Sequence, residues 1–183
     1  MRLVYISVLL AFIFFASAYI GYTSAKENLD LFKGYLEKFF SGFEFLKGYR
    51  SEVLVLIIFL NNAIKSLVFM LAGFFFGIAP ILFIATNGFL LGIVLAVKEV
   101  DFGFFRVLSF VVPHGIFEIP AVILASAQGV LLGYRFYESL FKGKEFKRHV
   151  KDSVVFYLKY VIPILLIAAF MEVYVTPLVA SLI

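Results

Sequence analysis

The sequence predicts an all-α fold: a polytopic membrane helix bundle of about five transmembrane segments, one of them broken at Pro113–Pro120. Three observations predict it. Apolar residues make up 63% of the 183-residue chain, with a mean hydropathy of +1.06, whereas an ordinary soluble domain is about half apolar. The Asp, Glu, Lys and Arg residues, 15% of the total, cluster between the apolar runs. The runs themselves approach or exceed the roughly 17–25 residues that cross a bilayer core as a helix. Residues 1–183 therefore read as a single membrane domain with no room for a soluble catalytic one.

Residues 1–22 form the first span. "ASA" at 16–18 resembles a signal-peptidase site, but the apolar run continues past it, so the span is expected to be retained. Residues 23–52 are the long mixed-charge stretch. Leu29, Phe32, Leu36, Phe39 and Phe40 recur there at helical spacing with Lys33, Glu37 and Lys38 between them. This predicts an amphipathic extracytoplasmic helix, lying on the membrane or a partner, or capping the chain's own bundle. Residues 53–133 hold spans two to four. The second runs to about Phe75, "FFFGIAP" is a tight turn, the third covers 81–97 and the fourth 107–133. Residues 134–153 read as a basic cytoplasmic loop and 154–183 as the last span.

Orientation is set by charge. Between 134 and 159 there are seven Lys or Arg against three acids, while 23–52 has five of each sign. Five spans put Arg2 and the basic loop on one side, and the positive-inside rule makes that side cytoplasmic. The C-terminus is then outside. A re-entrant fourth segment is the alternative architecture, but it would separate the basic loop from Arg2. The net charge of +4 suits anionic lipid headgroups and makes no case for nucleic acid. The chain has no cysteine, which excludes disulfides, thiolate metal sites and a cysteine nucleophile.

Two patterns concern packing. "PILFIATNGFLLG" (80–92) echoes "PAVILASAQGVLLG" (120–133), a weak repeat that chance also produces. Gly73/Gly77, Gly88/Gly92 and Gly129/Gly133 each have GxxxG spacing, which lets helices approach closely. This leaves open whether the contact is within one chain or between copies in a homo-oligomer.

Polar residues inside apolar runs are the candidate functional groups: Asn61, Asn62, Lys65, Asn87, His114, Glu118, Gln128 and Glu172. His114 and Glu118 are four residues apart and share a face if helical. Charged groups in hydrocarbon are costly, so they should converge, with Lys65 pairing with Glu118 or Glu172. Pro113 and Pro120 free backbone carbonyls and kink the segment, which would then wall an internal polar site. Such a site could be a structural polar cluster, a conduction or proton-coupled transport site, or a metal site. For metal, His114 and Glu118 are the candidate ligands and Glu172 a third, with Lys65 opposing a cation. No cofactor is specified. Enzymatic function is not expected, because His-Glu-x-x-His, Gly-x-Ser-x-Gly and paired aspartates are absent.

"FLNNAIKS", "TNGFLLG", "PHGIFEIPAVILASAQGVLLG" and "MEVYVTP" together resemble the stage II sporulation protein M (SpoIIM) family of prokaryotic membrane proteins, from about Glu52 to the C-terminus. The resemblance implies a plasma-membrane protein of about five spans. Its hallmark positions map onto Asn61, Asn62, Asn87, Gly88, Pro113, His114, Gly115, Glu118, Glu172 and Pro177. In spore formers the family's named member takes part in engulfment as an anchor for a complex containing peptidoglycan hydrolases. The implied function is a membrane scaffold whose partners are the lipid bilayer and other membrane proteins or itself. A transporter or channel using the mid-membrane polar site is the alternative.

Overall fold

The computed structural model describes residues 3–42, 44, 48–142 and 145–182. Among these there are six helices and no strand. They are α1 (Leu3–Glu27), α2 (Leu29–Ser41), α3 (Ser51–Phe74, its last turn 3-10), α4 (Ile78–Phe102), α5 (Phe104–Lys142) and α6 (Phe146–Ser181). All but α2 are long and apolar enough to cross a membrane, as the composition predicts.

α5 is the hub: it packs against α1, α3, α4 and α6, whereas α4 otherwise packs chiefly on α1 and α3 on α6. The run 121–133 on α5 is almost continuously buried. Around it Leu10, Phe14, Met70, Ile84, Val161 and Leu165 form one apolar core. The outer surfaces keep large apolar side chains exposed, such as Phe12, Phe15 and Tyr19 on α1. Such side chains belong against lipid.

The expected break at Pro113–Pro120 is not observed, nor is a re-entrant segment. α5 is helical straight through both prolines. Each proline removes one backbone hydrogen bond. Opening the helix in hydrocarbon would strand several backbone groups at several kcal/mol each, so continuity wins. The irregularities instead lie in α6. Two π-helical stretches, Tyr157–Val161 and Met171–Val175, end two residues before Pro163 and Pro177 respectively.

The basic stretch 134–153 is also mainly helix rather than loop. At about 1.5 Å per residue the 39 residues of α5 reach about 58 Å, well beyond a bilayer core. The end of α5 and the start of α6 therefore make a helical hairpin. Phe136 ties it together, 5.0 Å from Phe146 and 5.8 Å from Phe74 between ring centroids. The side chains of this stretch are charged yet good helix formers, so charge alone misplaced the helix end.

The glycine stripes pack within the chain. A Cβ on Gly73 would strike the backbone of Gly129, and one on Gly133 the backbone of Gly73 and Gly77. Gly88 and Gly92 meet the backbone of Phe14 and Ala18 on α1 in the same way. The 80–92 and 120–133 echo thus repeats one task, close approach to a neighbouring helix. Gly77, with φ 76°, makes the α3–α4 turn and donates its N–H to the Gly73 carbonyl at 2.7 Å.

α2 lies on its own bundle. Leu36 is buried with Ala25, Ile93, Ala96 and Val97, and Leu29 and Phe32 pack beside them. Lys33 pairs with Asp101 at 3.5 Å, and the Lys98 ammonium sits 5.8 Å from the Phe40 ring centre.

Candidate functional site

Three ionisable side chains converge in the interior. α5 places His114 and Glu118 one turn apart on the same face, as their spacing requires. α6 brings Glu172 to them from its second π-helical stretch. One ligand atom from each of the three lies within 4.8 Å of the others, and all three residues are half-buried. The next residue after that stretch, Thr176, holds His114: its hydroxyl is 3.4 Å from the imidazole Nδ1.

The π turn has a structural cause. Pro177 has no N–H to give to the Val173 carbonyl, and a widened turn upstream accommodates the loss. Adding a residue to the turn rotates the helix on its N-terminal side relative to the helix on its C-terminal side. Glu172 and Thr176 are thereby fixed on the side of α6 that meets His114.

A cavity of about 170 Å³ opens on the other side of His114 and Glu118, lined also by Phe14 of α1 and by Asn87 and Leu91 of α4. Asn87 donates its amide N–H to the Phe83 carbonyl one turn back, at 2.8 Å. Wall and floor are apolar apart from Asn87, His114 and Glu118.

The expected Lys65 ion pair does not form: no salt bridge joins it to Glu118 or Glu172 among the described residues. Lys65 is exposed on α3. Full pairing would bury an ammonium, and desolvation opposes that. Asn61 and Asn62 bond to each other at 3.3 Å on α3 and do not join the cluster. Gln128 serves elsewhere, donating to the buried Ser153 hydroxyl at 3.0 Å. Ser153 in turn donates to the His149 carbonyl.

The sequence reading missed Thr176 and Tyr157. Tyr157 is buried and donates to the Ala63 carbonyl at 2.6 Å, with the Ser66 hydroxyl 2.8 Å away. A phenol inside an apolar span needs a partner, and that was the available signal. Thr176 had none beyond standing before a proline.

Fold and site define a class: a multi-spanning helical membrane protein with a histidine–dicarboxylate cluster in its core. The profile of the family described as stage II sporulation protein M, SpoIIM, matches residues 8–177, and the chain belongs to that family. It is also similar to an uncharacterized protein of Methanocaldococcus jannaschii, 32% identical over 127 residues that span 67% of this chain and 71% of the relative. No solved structure matches it.

Proposed function

We propose that this chain carries a cation or protons across the plasma membrane of a prokaryote through the His114–Glu118–Glu172 cluster. The observation that supports the reading is the convergence of these three groups from two different helices, with His114 and Glu118 also lining a cavity, in a largely apolar core. Ionisable groups at such depth are costly and mark ion or proton pathways. The N-terminus is cytoplasmic and the C-terminus outside. We expect no enzymatic activity, since the sequence carries no His-Glu-x-x-His, Gly-x-Ser-x-Gly or paired-aspartate motif. A purified chain that cleaves a substrate, with the activity lost in His114→Ala, would overturn that.

The test is flux in proteoliposomes. Glu118→Gln should leave the protein inserted and helical while proton or divalent-cation flux falls at least tenfold. Flux equal to wild type would sink the reading.

A membrane scaffold is the second reading, favoured by one observation. α2 keeps Leu31, Tyr35 and Phe39 exposed, and the last two border a pocket shared with Leu90, Ile93 and Val94 of α4. Its partners would be other membrane proteins or a second copy, with the bilayer around them, and not nucleic acid. The glycine faces are already used inside the chain, so they no longer support it. Replacing the 23–52 segment would then abolish function while Glu118→Gln is tolerated.

A further inference from the structure

We propose that His114, Glu118 and Glu172 bind a zinc-type divalent cation, and that the Lys65 ammonium is the tethered charge that competes with it. The inference deepens the transport reading and rests on the same site. The donors decide the class of ion. An imidazole nitrogen with carboxylate oxygens suits Zn²⁺ and its first-row neighbours; Mg²⁺ and Ca²⁺ take oxygen ligands, and an imidazole adds little for Na⁺ or K⁺.

Geometry agrees. Donors bound tetrahedrally at 2.0–2.2 Å lie about 3.3–3.6 Å apart. The three atoms lie within 4.8 Å of one another, so side-chain rotations that bring them about 1 Å closer would complete the site. His114 and Glu118 are held on one helix turn and Glu172 is held by the π turn, so no backbone need move. The hydroxyl of Thr176 lies 3.4 Å from His114 Nδ1 and would fix the ring as a group behind a histidine ligand does, with Nε2 then the nitrogen for the ion. Asn87 borders the cavity, where a fourth ligand or water would sit.

Charge completes the argument. Two carboxylates in an apolar core need compensation. A divalent ion supplies it fully. Without the ion, the nearest lysine is Lys65 on α3, the helix that packs on the π-helical stretch carrying Glu172, and it is locked in no salt bridge. A cation held this way can be displaced and can return, which is what release into either compartment requires.

The experiment is equilibrium binding of Zn²⁺, with Mg²⁺ as the comparison, to the purified full chain in nanodiscs. Metal content and calorimetry would be read for wild type, His114→Ala, Glu172→Gln and Lys65→Met, with thermal unfolding as the control for folding. One Zn²⁺ per chain is expected, lost or weakened more than about 100-fold in the first two variants. Lys65→Met should bind about tenfold tighter, because a repelling charge is removed. No stoichiometric Zn²⁺ in wild type or Lys65→Met, or binding unchanged in His114→Ala and Glu172→Gln, overturns the site. Equal affinity in Lys65→Met overturns the competitor role. Zn²⁺ binding without flux would uphold this inference and sink the transport reading; flux without Zn²⁺ binding would do the reverse.

Discussion

Tyr157 joins two spans through one oxygen. Its hydroxyl lies between the Ala63 carbonyl and the Ser66 hydroxyl of α3. Interhelical hydrogen bonds of this kind contribute about 1 kcal/mol in membranes. Tyr157→Phe should therefore lower stability by about 1 kcal/mol and leave the cluster intact, because Ser66 retains its bond to the Asn62 carbonyl at 2.6 Å. Thermal unfolding in a fixed detergent checks this, and an unchanged midpoint would show that the bond contributes nothing. At this scale the sequence was legible where spacing fixed geometry. His114 and Glu118 share a face because they are four residues apart on a helix. Glu172 was readable only as a group at a compatible depth. The Lys65 pairing failed because depth and charge do not reveal which way a side chain points. Tyr157 and Thr176 act across helices, and neither partner is encoded locally.

The elements divide between those set by hydrophobic length and those set by special residues. Spans and turn positions were legible in the apolar runs, but helix ends were not, since charged residues at 98–102 and 134–142 continue α4 and α5 as readily as they would leave them. Prolines were the harder case. Pro113 and Pro120 leave α5 continuous, whereas π-helical stretches lie just upstream of Pro163 and Pro177. The second stretch carries Glu172, which gives Pro177→Ala a specific consequence. The restored N–H lets the turn tighten to an ordinary helix, rotating Glu172 by about 100°, one residue's worth of turn. Zn²⁺ binding should fall at least tenfold while thermal stability stays equal or rises; retained affinity would mean the π turn does not position Glu172. Glycines give the complementary test. Gly73→Ala pushes a Cβ into the Gly129 backbone and should cost at least about 2 kcal/mol. Gly34→Ala on α2 meets nothing within 4 Å and should be neutral or stabilising by up to about 1 kcal/mol. Similar midpoints for the two variants would refute the close-packing account.

On the scale of the whole molecule the fold changes the charge argument for orientation. The α4–α5 connection lies on the same side as α2, joined to it through Lys33 and Asp101. Lys98 and Arg106 therefore add to the 23–52 side and narrow the difference in Lys and Arg that the sequence suggested. What distinguishes the sides is compensation. Lys26 pairs with Glu99 at 3.0 Å and Lys33 with Asp101, so the cations there are matched by acids. The 134–159 stretch of the sequence carries seven Lys or Arg against only three acids, Glu138, Glu145 and Asp152. An anionic cytoplasmic leaflet attracts such an excess by about 1 kcal/mol per residue near the surface. The chain's lack of cysteine makes the resulting orientation directly measurable. Single cysteines at two exposed positions, Glu37→Cys on α2 and Lys147→Cys at the start of α6, report the two sides. With a membrane-impermeant maleimide, Glu37→Cys should label in intact cells and Lys147→Cys only after permeabilisation. The opposite pattern would invert the protein and place the hairpin outside. Labelling of both in intact cells would break the alternation of five spans, and with it the assignment of the cluster to the middle of the membrane.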